Sequence, residues 1–575
     1  MTTPTIAERL ARIYGDARAQ SVASAIDERL ARFADAHPRL RAGEGPTDLL
    51  PLDAGDNLLI AYGDQFFEPD MAPLATLGRV VDETLGDLIR GIHVLPCFPY
   101  SSDDGFSVID YHSIDSNLGS WSDVTELSRA RRLMLDAVIN HISSESAWFA
   151  DYRAGVAPAV DYFVDDADDW DLSRVVRPRT SPLLTEVQVT RDGATHTRRV
   201  WTTFSADQID LDYRNPDVLL AVLDVLLGYV SRGATLIRLD AVGFLYKRSG
   251  TSCLHLEQTH ELVKLMRQCL DRVAPQTLLI TETNVPHADN VSYFGDGSDE
   301  AQLVYNFSLP PLLLDALEHG DASVLSRWAA TLELPSPRTT WFNFIASHDG
   351  IGVRPAEGLL DAARIDHLVA AVKRRGGRVG YRATPDGGKR PYELQITLFD
   401  AMAPAGEAIE RSVARFRAAH AMMLALRGLP GIYAHSLFGS GSWQAGFAAT
   451  GQGRTLNRQK LARDTLRGML ADPQSRASRV LAAMRALLSA RRAHAAFAPA
   501  AAQRVVDLGP ATFALERTAA NGQTVLALAD VSGRERRVVL PHAERYASLL
   551  EGGGASEQRE LTLEPYGVRW LALER

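Results

Sequence analysis

Apolar positions along this 575-residue chain fall into two rhythms, and the change from one to the other separates its elements. At 6–14 and 22–36 they recur every three or four residues with Arg and Asp between them, which predicts helices. From residue 57 onward short continuous apolar runs appear instead, at 57–62, 91–96, 133–139, 235–239, 277–281, 302–305, 341–346 and 431–434. Runs this short and unbroken read as strands buried on both faces. Amphipathic stretches separate them, the first a helical pattern from about 71 to 89.

Eight such strands predict an α/β fold, a closed (β/α)8 barrel, because polar side chains collect at one end of several of them. Two intervals are too long for simple crossovers, 142–208 after the third strand and 350–405 after the seventh, and these should cover the barrel mouth. Alternation at 524–530, 537–540 and 568–571 predicts a small antiparallel β-domain at the end. The expected division is a helical extension at 1–50, a barrel at 51–141, 209–349 and 406–499, inserted subdomains at 142–208 and 350–405, and a C-terminal β-domain at 500–575.

Composition narrows the class. At 46% hydrophobic and 23% charged, the chain supports a large core with accessory domains. Three scattered cysteines, Cys97, Cys253 and Cys269, form neither a disulfide framework nor a metal cluster and point to a reducing compartment. No basic segment followed by an apolar one opens the sequence, and no run of eighteen apolar residues occurs, so a cytoplasmic protein without a membrane span is expected. A net charge of -10 argues against nucleic acid as partner, while a local basic pocket remains compatible with a small anion. No Gly-X-Gly-X-X-Gly follows a strand, so no nucleotide or flavin cofactor is expected. Oligomeric state stays open: the N-terminal helices suit a homodimer contact as well as an intramolecular one.

Candidate chemistry sits at the strand ends. The third strand ends in Asp136, Asn140 and His141, and the fourth in Arg238 and Asp240; Glu282 follows the fifth, and His348 and Asp349 follow the seventh. One isolated Arg-X-Asp is more often a structural ion pair; in a barrel, however, all these ends converge on one face. Two carboxylates roughly 5 Å apart are what retaining glycosyl transfer needs, one as nucleophile and one as proton donor. A third acid and two histidines could hold sugar hydroxyls and favour an oxocarbenium-like transition state.

Taken together, residues 136–141, 233–241, Glu282, His348 and Asp349 resemble the four short motifs of glycoside hydrolase family 13, the α-amylase superfamily, and the likeness runs from about residue 57 to the terminal β-domain. It implies Asp240 as nucleophile, Glu282 as general acid/base and Asp349 as transition-state stabiliser, with Arg238, His141 and His348 binding the glucosyl unit. Within that superfamily SSDDGFSV at 101–108, LGSW at 118–121, RPRTSP at 177–182, VWTTF at 200–204 with Gln208, GTSC at 250–253, and Asn457-Arg458 are similar to the sucrose phosphorylase branch. That likeness implies a clamp on glucose hydroxyls from Asp103 and Arg458, and apolar walls from Phe106 and Phe204.

Phosphorolysis adds a demand of its own. A phosphate dianion must enter a pocket crowded with carboxylates, which requires guanidinium or backbone N–H donors nearby. By resemblance, Arg177 and Arg179 in the first excursion and Tyr392 in the second occupy the mobile phosphate and acceptor loops. Departures at ETNVPH (282–287, with Asn284), RPAEG (354–358), GRVGY (377–381) and DGGKRPYEL (386–394), together with the N-terminal helices, look like 2-O-α-glucosylglycerate phosphorylases. Glycerate is an anion, and Arg354, Lys389 and Arg390 are candidates to pair with its carboxylate. Sucrose, glucosylglycerol and sucrose 6'-phosphate are the competing substrates; a plain hydrolase or a non-catalytic binding protein fits less well, since all three acids are present. Asn140 stands where calcium-dependent amylases place a ligand, yet the residues after His141 offer no oxygen cage, so no metal is expected.

Overall fold

The computed structural model describes residues 4–41, 49–384, 388–542, 545–552, 556–557 and 559–574. Eight parallel strands close into a barrel: β1 (Leu58–Ala61), β2 (Gly91–Val94), β3 (Arg132–Val138), β4 (Ala234–Asp240), β5 (Leu278–Thr281), β6 (Leu303–Tyr305), β7 (Thr340–Asn343) and β8 (Leu429–Tyr433), each paired with its chain-order neighbours and β8 with β1. Almost every strand residue is buried, which is why the runs carry no alternation. Register decides what meets at the top: Asp136 of β3 lies opposite Arg238 of β4, Asp240 opposite Val138, and Leu239 opposite Thr281, the residue before Glu282. The charged ends of β3, β4 and β5 are thereby stacked at one level.

Differences from the expected elements are local. The helix expected over 71–89 is shorter, Pro73–Thr84, followed by a single 3-10 turn Gly86–Leu88. Pro73 opens it with its preset φ, and Gly86 at φ 54 ends it in a left-handed conformation that other residues adopt at a cost. The strand expected over 341–346 stops at Asn343, leaving 344–349 as a loop that aims His348 and Asp349.

Two N-terminal helices, α1 (Ile6–Tyr14) and α2 (Asp16–Ala36), pack against the barrel helix α3 (Glu257–Val273). A capping box between Thr5 and Glu8 starts α1. Arg9, 1% exposed, and Arg12 both donate to Glu261 of α3, at 3.0 and 2.9 Å, while Leu10, Ile26 and Leu30 join the core. The apolar face of the extension is thus occupied within its own chain.

The interval 142–208 holds a helix (Ala147–Ala154) and a hairpin (Leu184–Arg191 with Ala194–Trp201); 350–405 holds a helix (Ala362–Arg374) and a three-stranded antiparallel sheet. After residue 500 come a six-stranded antiparallel sheet and a separate two-stranded one, with a small core of their own. Two buried arginines pin this end to the barrel through backbone carbonyls: Arg517 donates to Ala425 at 2.7 Å and Ala498 at 2.8 Å, and Arg491 to Asp56 and Phe497, both at 3.0 Å. Among the described residues no helix is long and apolar enough to cross a membrane.

Candidate active site

The centre of the barrel mouth is built on one guanidinium. Arg238, 3% exposed, donates to Asp136 on β3 and to Oδ1 of Asp240 at 2.7 Å, and its Nη2 stands 3.9 Å from Oε1 of Glu282. A buried cation is tolerable only when paired and hydrogen-bonded, and the register of β3, β4 and β5 supplies the partners. Asp136 also accepts from Nε2 of His93 at 2.6 Å; burial pushes its carboxyl up, but Arg238 and His93 outweigh that and hold it below the ordinary value. At the end of β4, Ala241 turns into a left-handed conformation, φ 58, and its N–H reaches Oε2 of Glu282 at 3.1 Å. Asp240 and Glu282 therefore face the same guanidinium from adjacent strands.

Their protons separate accordingly. Burial, reinforced by Asp240 and Asp349, raises Glu282 to about 7 against the pull of Arg238. Burial raises Asp240 too, with Arg238 opposing it most strongly. Because Arg238 hydrogen-bonds Asp240 and only approaches Glu282, the proton shared by this pair resides on Glu282.

Asp349 belongs to a second ionic cluster. Arg454 reaches its Oδ1 at 2.9 Å and Arg458 at 3.3 Å; burial pushes the carboxyl up, yet these cations hold it far below the ordinary range. Gly350, at φ 101, makes the turn that follows, and a Cβ there would stand 2.3 Å from the Leu394 carbonyl oxygen. Arg458 also bonds Asp103 at 3.3 Å and Asp104 at 2.6 Å, while Arg454 forms a two-pronged pair with Glu393, at 2.9 and 3.0 Å. Asp103 and Asp104 both lie at positive φ, 52 and 50, an uncommon backbone conformation maintained by these contacts.

Aromatic and amide side chains complete the walls. Phe106 stacks on His348 with ring centroids 4.8 Å apart and planes 5° from parallel; burial holds the His348 imidazole down to about 3, so it is neutral. His141 and Gln208 both donate to the Phe106 carbonyl, at 2.9 and 3.0 Å, and Phe204 packs on His141. The carboxylate of Asp207 accepts from Ser101, Ser107 and Ser144, at 2.6, 2.7 and 2.6 Å, and from Ser102. That cluster ties the loop bearing Asp103 and Phe106 to the excursion bearing Phe204 and Gln208.

The result is a cleft of about 670 Å³ lined by Asp240, Glu282 and Asp349 together with Asp103, Phe106, His141, Phe204, Gln208 and His348. Arg179, Asn284, Arg354 and Tyr392 line it as well. A wider vestibule of about 1600 Å³ adjoins it, sharing Asp103, Arg179, Phe204, Gln208, Tyr392, Glu393 and Arg454. Five expected site residues are placed differently. Arg238 does not line the cleft but lies behind Asp240; Arg458 lines only the vestibule. Arg177 lines neither space; its nearest hydrogen bond is to Ser181 at 3.5 Å. Arg390 is exposed and sits opposite Arg382 in the sheet of the second excursion, as Lys389 sits opposite Ala383; two residues further on the pairing shifts between Gly380 and Tyr381, and this bulge breaks the alternation so that Tyr392 lines the cleft while Arg390 does not. Asp386, in the same loop, lies outside the described residues.

Two charged or titratable cleft residues escape the sequence reading, Arg454 and His255, and Glu393, inside the stretch 386–394, is given no role there. Arg454 stands one turn ahead of Arg458 in the loop after β8, a spacing that could have pointed to it. Nothing local marks His255, and nothing local gives Glu393 its partner; both arrive through tertiary packing.

Asn140 has a specific occupation. Its Oδ1 accepts from the Lys247 ammonium at 2.9 Å, and the same ammonium lies 2.8 Å from Asp210, all of it buried. A lysine thus engages the oxygens that a cation would need. Among the described residues no group of three His, Cys, Asp or Glu side chains is arranged to hold a metal.

Comparisons with known proteins agree with this architecture. Residues 84–349 match the model of the α-amylase catalytic domain. The chain is 49% identical to a glucosylglycerate phosphorylase of Allomeiothermus silvanus, over 87% of this chain and 88% of the other, and 45% identical to one of Spirochaeta thermophila, over 91% and 90%. Its fold is similar to the crystal structure of sucrose 6F-phosphate phosphorylase from Thermoanaerobacter thermosaccharolyticum, with a TM-score of 0.73 at 22% identity over 88% of this chain and 98% of that one. The chain belongs to the α-amylase superfamily, glycoside hydrolase family 13, in its branch of glycoside phosphorylases.

Proposed function

We propose that this protein is a retaining α-glucoside phosphorylase whose donor is 2-O-α-D-glucosylglycerate. A carboxylate oxygen of Asp240 attacks the anomeric carbon while Glu282 gives its proton to the departing glycerate oxygen, leaving a β-glucosyl ester on Asp240. Phosphate then attacks the same carbon, Glu282 takes its proton, and Asp240 leaves with the electrons of the ester bond. The product is α-D-glucose 1-phosphate. Asp349, kept ionised by Arg454 and Arg458, stabilises positive charge developing on the sugar ring. Phe106, Phe204, His141, Gln208 and His348 enclose the glucosyl unit, and Asp103 accepts from its hydroxyls.

The observation that carries this reading is how the guanidiniums in and around the cleft are paired. Arg238, Arg454 and Arg458 are each bound to carboxylates, whereas Arg179 and Arg354 have none within 4.0 Å among the described residues. A hydrolase needs no uncommitted cation beside its acids; a phosphorylase releasing an anionic acceptor has two anions to receive. The relatives' names agree with that chemistry, and a neutral acceptor such as fructose or glycerol would leave one of the two cations unused.

The test is synthesis from α-glucose 1-phosphate, with D-glycerate, glycerol and fructose supplied in turn and phosphate release followed. Glycerate should be used at least ten times more efficiently than the others. A preference for fructose would overturn the acceptor while leaving the phosphorylase chemistry in place; glucose as sole product in excess phosphate would overturn both.

A further inference from the structure

One carboxylate at the barrel mouth is held without a cation. Asp207 lines the vestibule but not the cleft, and among the described residues no Lys, Arg or His pairs with it. Its partners are hydroxyls: Oδ2 accepts from Ser101 at 2.6 Å, from Ser107 at 2.7 Å and from Ser102, and Oδ1 accepts from Ser144 at 2.6 Å. Burial pushes the carboxyl up, but these four hydroxyls hold it down to about 2, so it stays an anion and can only accept. Proton directions follow from that. All four hydroxyls point their protons at Asp207, and the 2.6 Å contact between Ser101 and Ser143 is donated by Ser143, which itself accepts from the Glu145 N–H at 2.9 Å.

The three hydroxyls on Oδ2 bracket the loop that carries Asp103. Ser101 and Ser102 stand at its entry and Ser107 at its exit, and the Ser101 N–H closes the neck on the Ser107 carbonyl at 3.1 Å. Asp207 itself comes from the segment between Phe204 and Gln208, and the short strand Gln208–Asp210 pairs with His141–Ser143. One carboxylate oxygen thus joins the loop of Asp103 and Phe106 to the segments that supply Phe204, Gln208 and His141, the remaining wall of the glucosyl site.

Asp103 depends on such an anchor. Its ion pairs are long, 3.3 Å to Arg458 and 3.6 Å to Arg454, and Arg458 is engaged more closely by Asp104, at 2.6 Å. Asp103 and Asp104 also sit at φ 52 and 50, a conformation that persists only where the surroundings over-determine it. Ion pairs this long leave the carboxylate play, so the anchoring of its loop decides where it meets a sugar hydroxyl.

We propose that Asp207 is a positioning residue for the glucosyl subsite: through the serine hydroxyls at both ends of the loop 101–107 it fixes the Asp103 carboxylate, without touching substrate itself. This rests on the reading of the cleft as a glucosyl site, and names the element that keeps its hydroxyl clamp in place.

The two half-reactions isolate the effect. With α-glucosyl fluoride as donor, kcat/KM for the fluoride reports formation of the glucosyl enzyme, kcat/KM for phosphate reports its breakdown, and Tm reports folding. Asp207→Ala should lower kcat/KM for the fluoride about 30-fold, and Ser102→Ala about fivefold with Tm unchanged. In both variants kcat/KM for phosphate should stay within about threefold of the parent, because the sugar is already seated when phosphate arrives. Asp207→Asn, whose amide oxygen still accepts from the hydroxyls on Oδ2, should recover most of the loss. In an Asp103→Asn background, Asp207→Ala should lower kcat/KM for the fluoride by no more than about a further threefold, since the group it positions is already impaired. A full loss in both backgrounds would overturn action through Asp103, and an equal fall in kcat/KM for phosphate would overturn assignment to the glucosyl side. Ser102→Ala with the parent's kcat/KM would overturn the role of the cluster, even where Asp207→Ala does not fold. A parent enzyme inert towards the fluoride would instead overturn the reading of the cleft, before any variant is compared.

Discussion

Arg238 donates to Asp240 at 2.7 Å but approaches Glu282 only to 3.9 Å, so one guanidinium treats the two carboxylates unequally. The unequal contact gives them different work. The partner in contact is the better anion and the more remote one keeps a proton near neutrality. Replacing Asp240 with Asn should lower turnover with every donor by roughly 10⁴-fold or more, since no carboxylate remains to form the ester. Trapping of the glucosyl enzyme, followed by mass spectrometry, should find the label on Asp240 in the parent and nowhere in the variant.

A Glu282 carboxyl raised to about 7 predicts a pH profile that depends on the leaving group. With glucosylglycerate, whose glycerate must be protonated as it leaves, kcat/KM should fall as pH rises through about 7. With α-glucosyl fluoride that limb should be absent, because fluoride leaves without a proton. Glu282→Gln should retain glucosylation by the fluoride and lose it with the natural donor. Equal losses would contradict the acid role.

The same shift is a statement about stability. A carboxyl whose folded value lies above its unfolded value binds the proton more tightly in the native state, so stability is lost as pH rises from about 4.5 through about 7. Glu282→Gln removes that dependence and should raise Tm at pH 8 relative to the parent, while changing little at pH 4. Thermal melts at the two values test the sign.

Arg454 holds Glu393, Asp349 and Asp103 at once, and Glu393 is 3% exposed. Arg454→Ala leaves the buried Glu393 carboxylate without a cation and should cost about 3–5 kcal/mol of stability. Because Arg454 is the strongest influence keeping Asp349 ionised, the acid limb of the activity profile should also move to higher pH. Urea melts and a pH–rate profile read the two effects separately.

Lys247 predicts indifference to metal. With its ammonium 2.9 Å from Asn140 and 2.8 Å from Asp210, chelation should leave activity and Tm unchanged. Lys247→Ala should destabilise by about 3–5 kcal/mol through the abandoned Asp210 carboxylate. Activity assays and melts with and without a chelator decide the point.

Much of this was legible along the chain because it is local. Each barrel strand is buried on both faces, so it must be a short run without polar interruption, and eight such runs were countable. The acids at their ends were visible for the complementary reason: a charge closing an apolar strand needs a partner or a task. Arg177 and Arg390 looked equally suitable and were misplaced, because a charged loop residue carries no mark of which way its backbone will turn it. Lys247, too, lay outside the motifs, although it explains why Asn140 is there.

What the linear chain determined by itself was periodicity and chemistry: the barrel, and three carboxylates delivered to one of its faces. Tertiary structure decided which of the cations in and around the cleft stay free. Arg238 is consumed by Asp240 on its own strand and Asp136 on the next, Arg454 and Arg458 by carboxylates from other loops, and Arg179 and Arg354 are not. That outcome depends mostly on distances between segments from 61 to 355 residues apart, and charge pairing falls off over a few ångströms that no local pattern encodes.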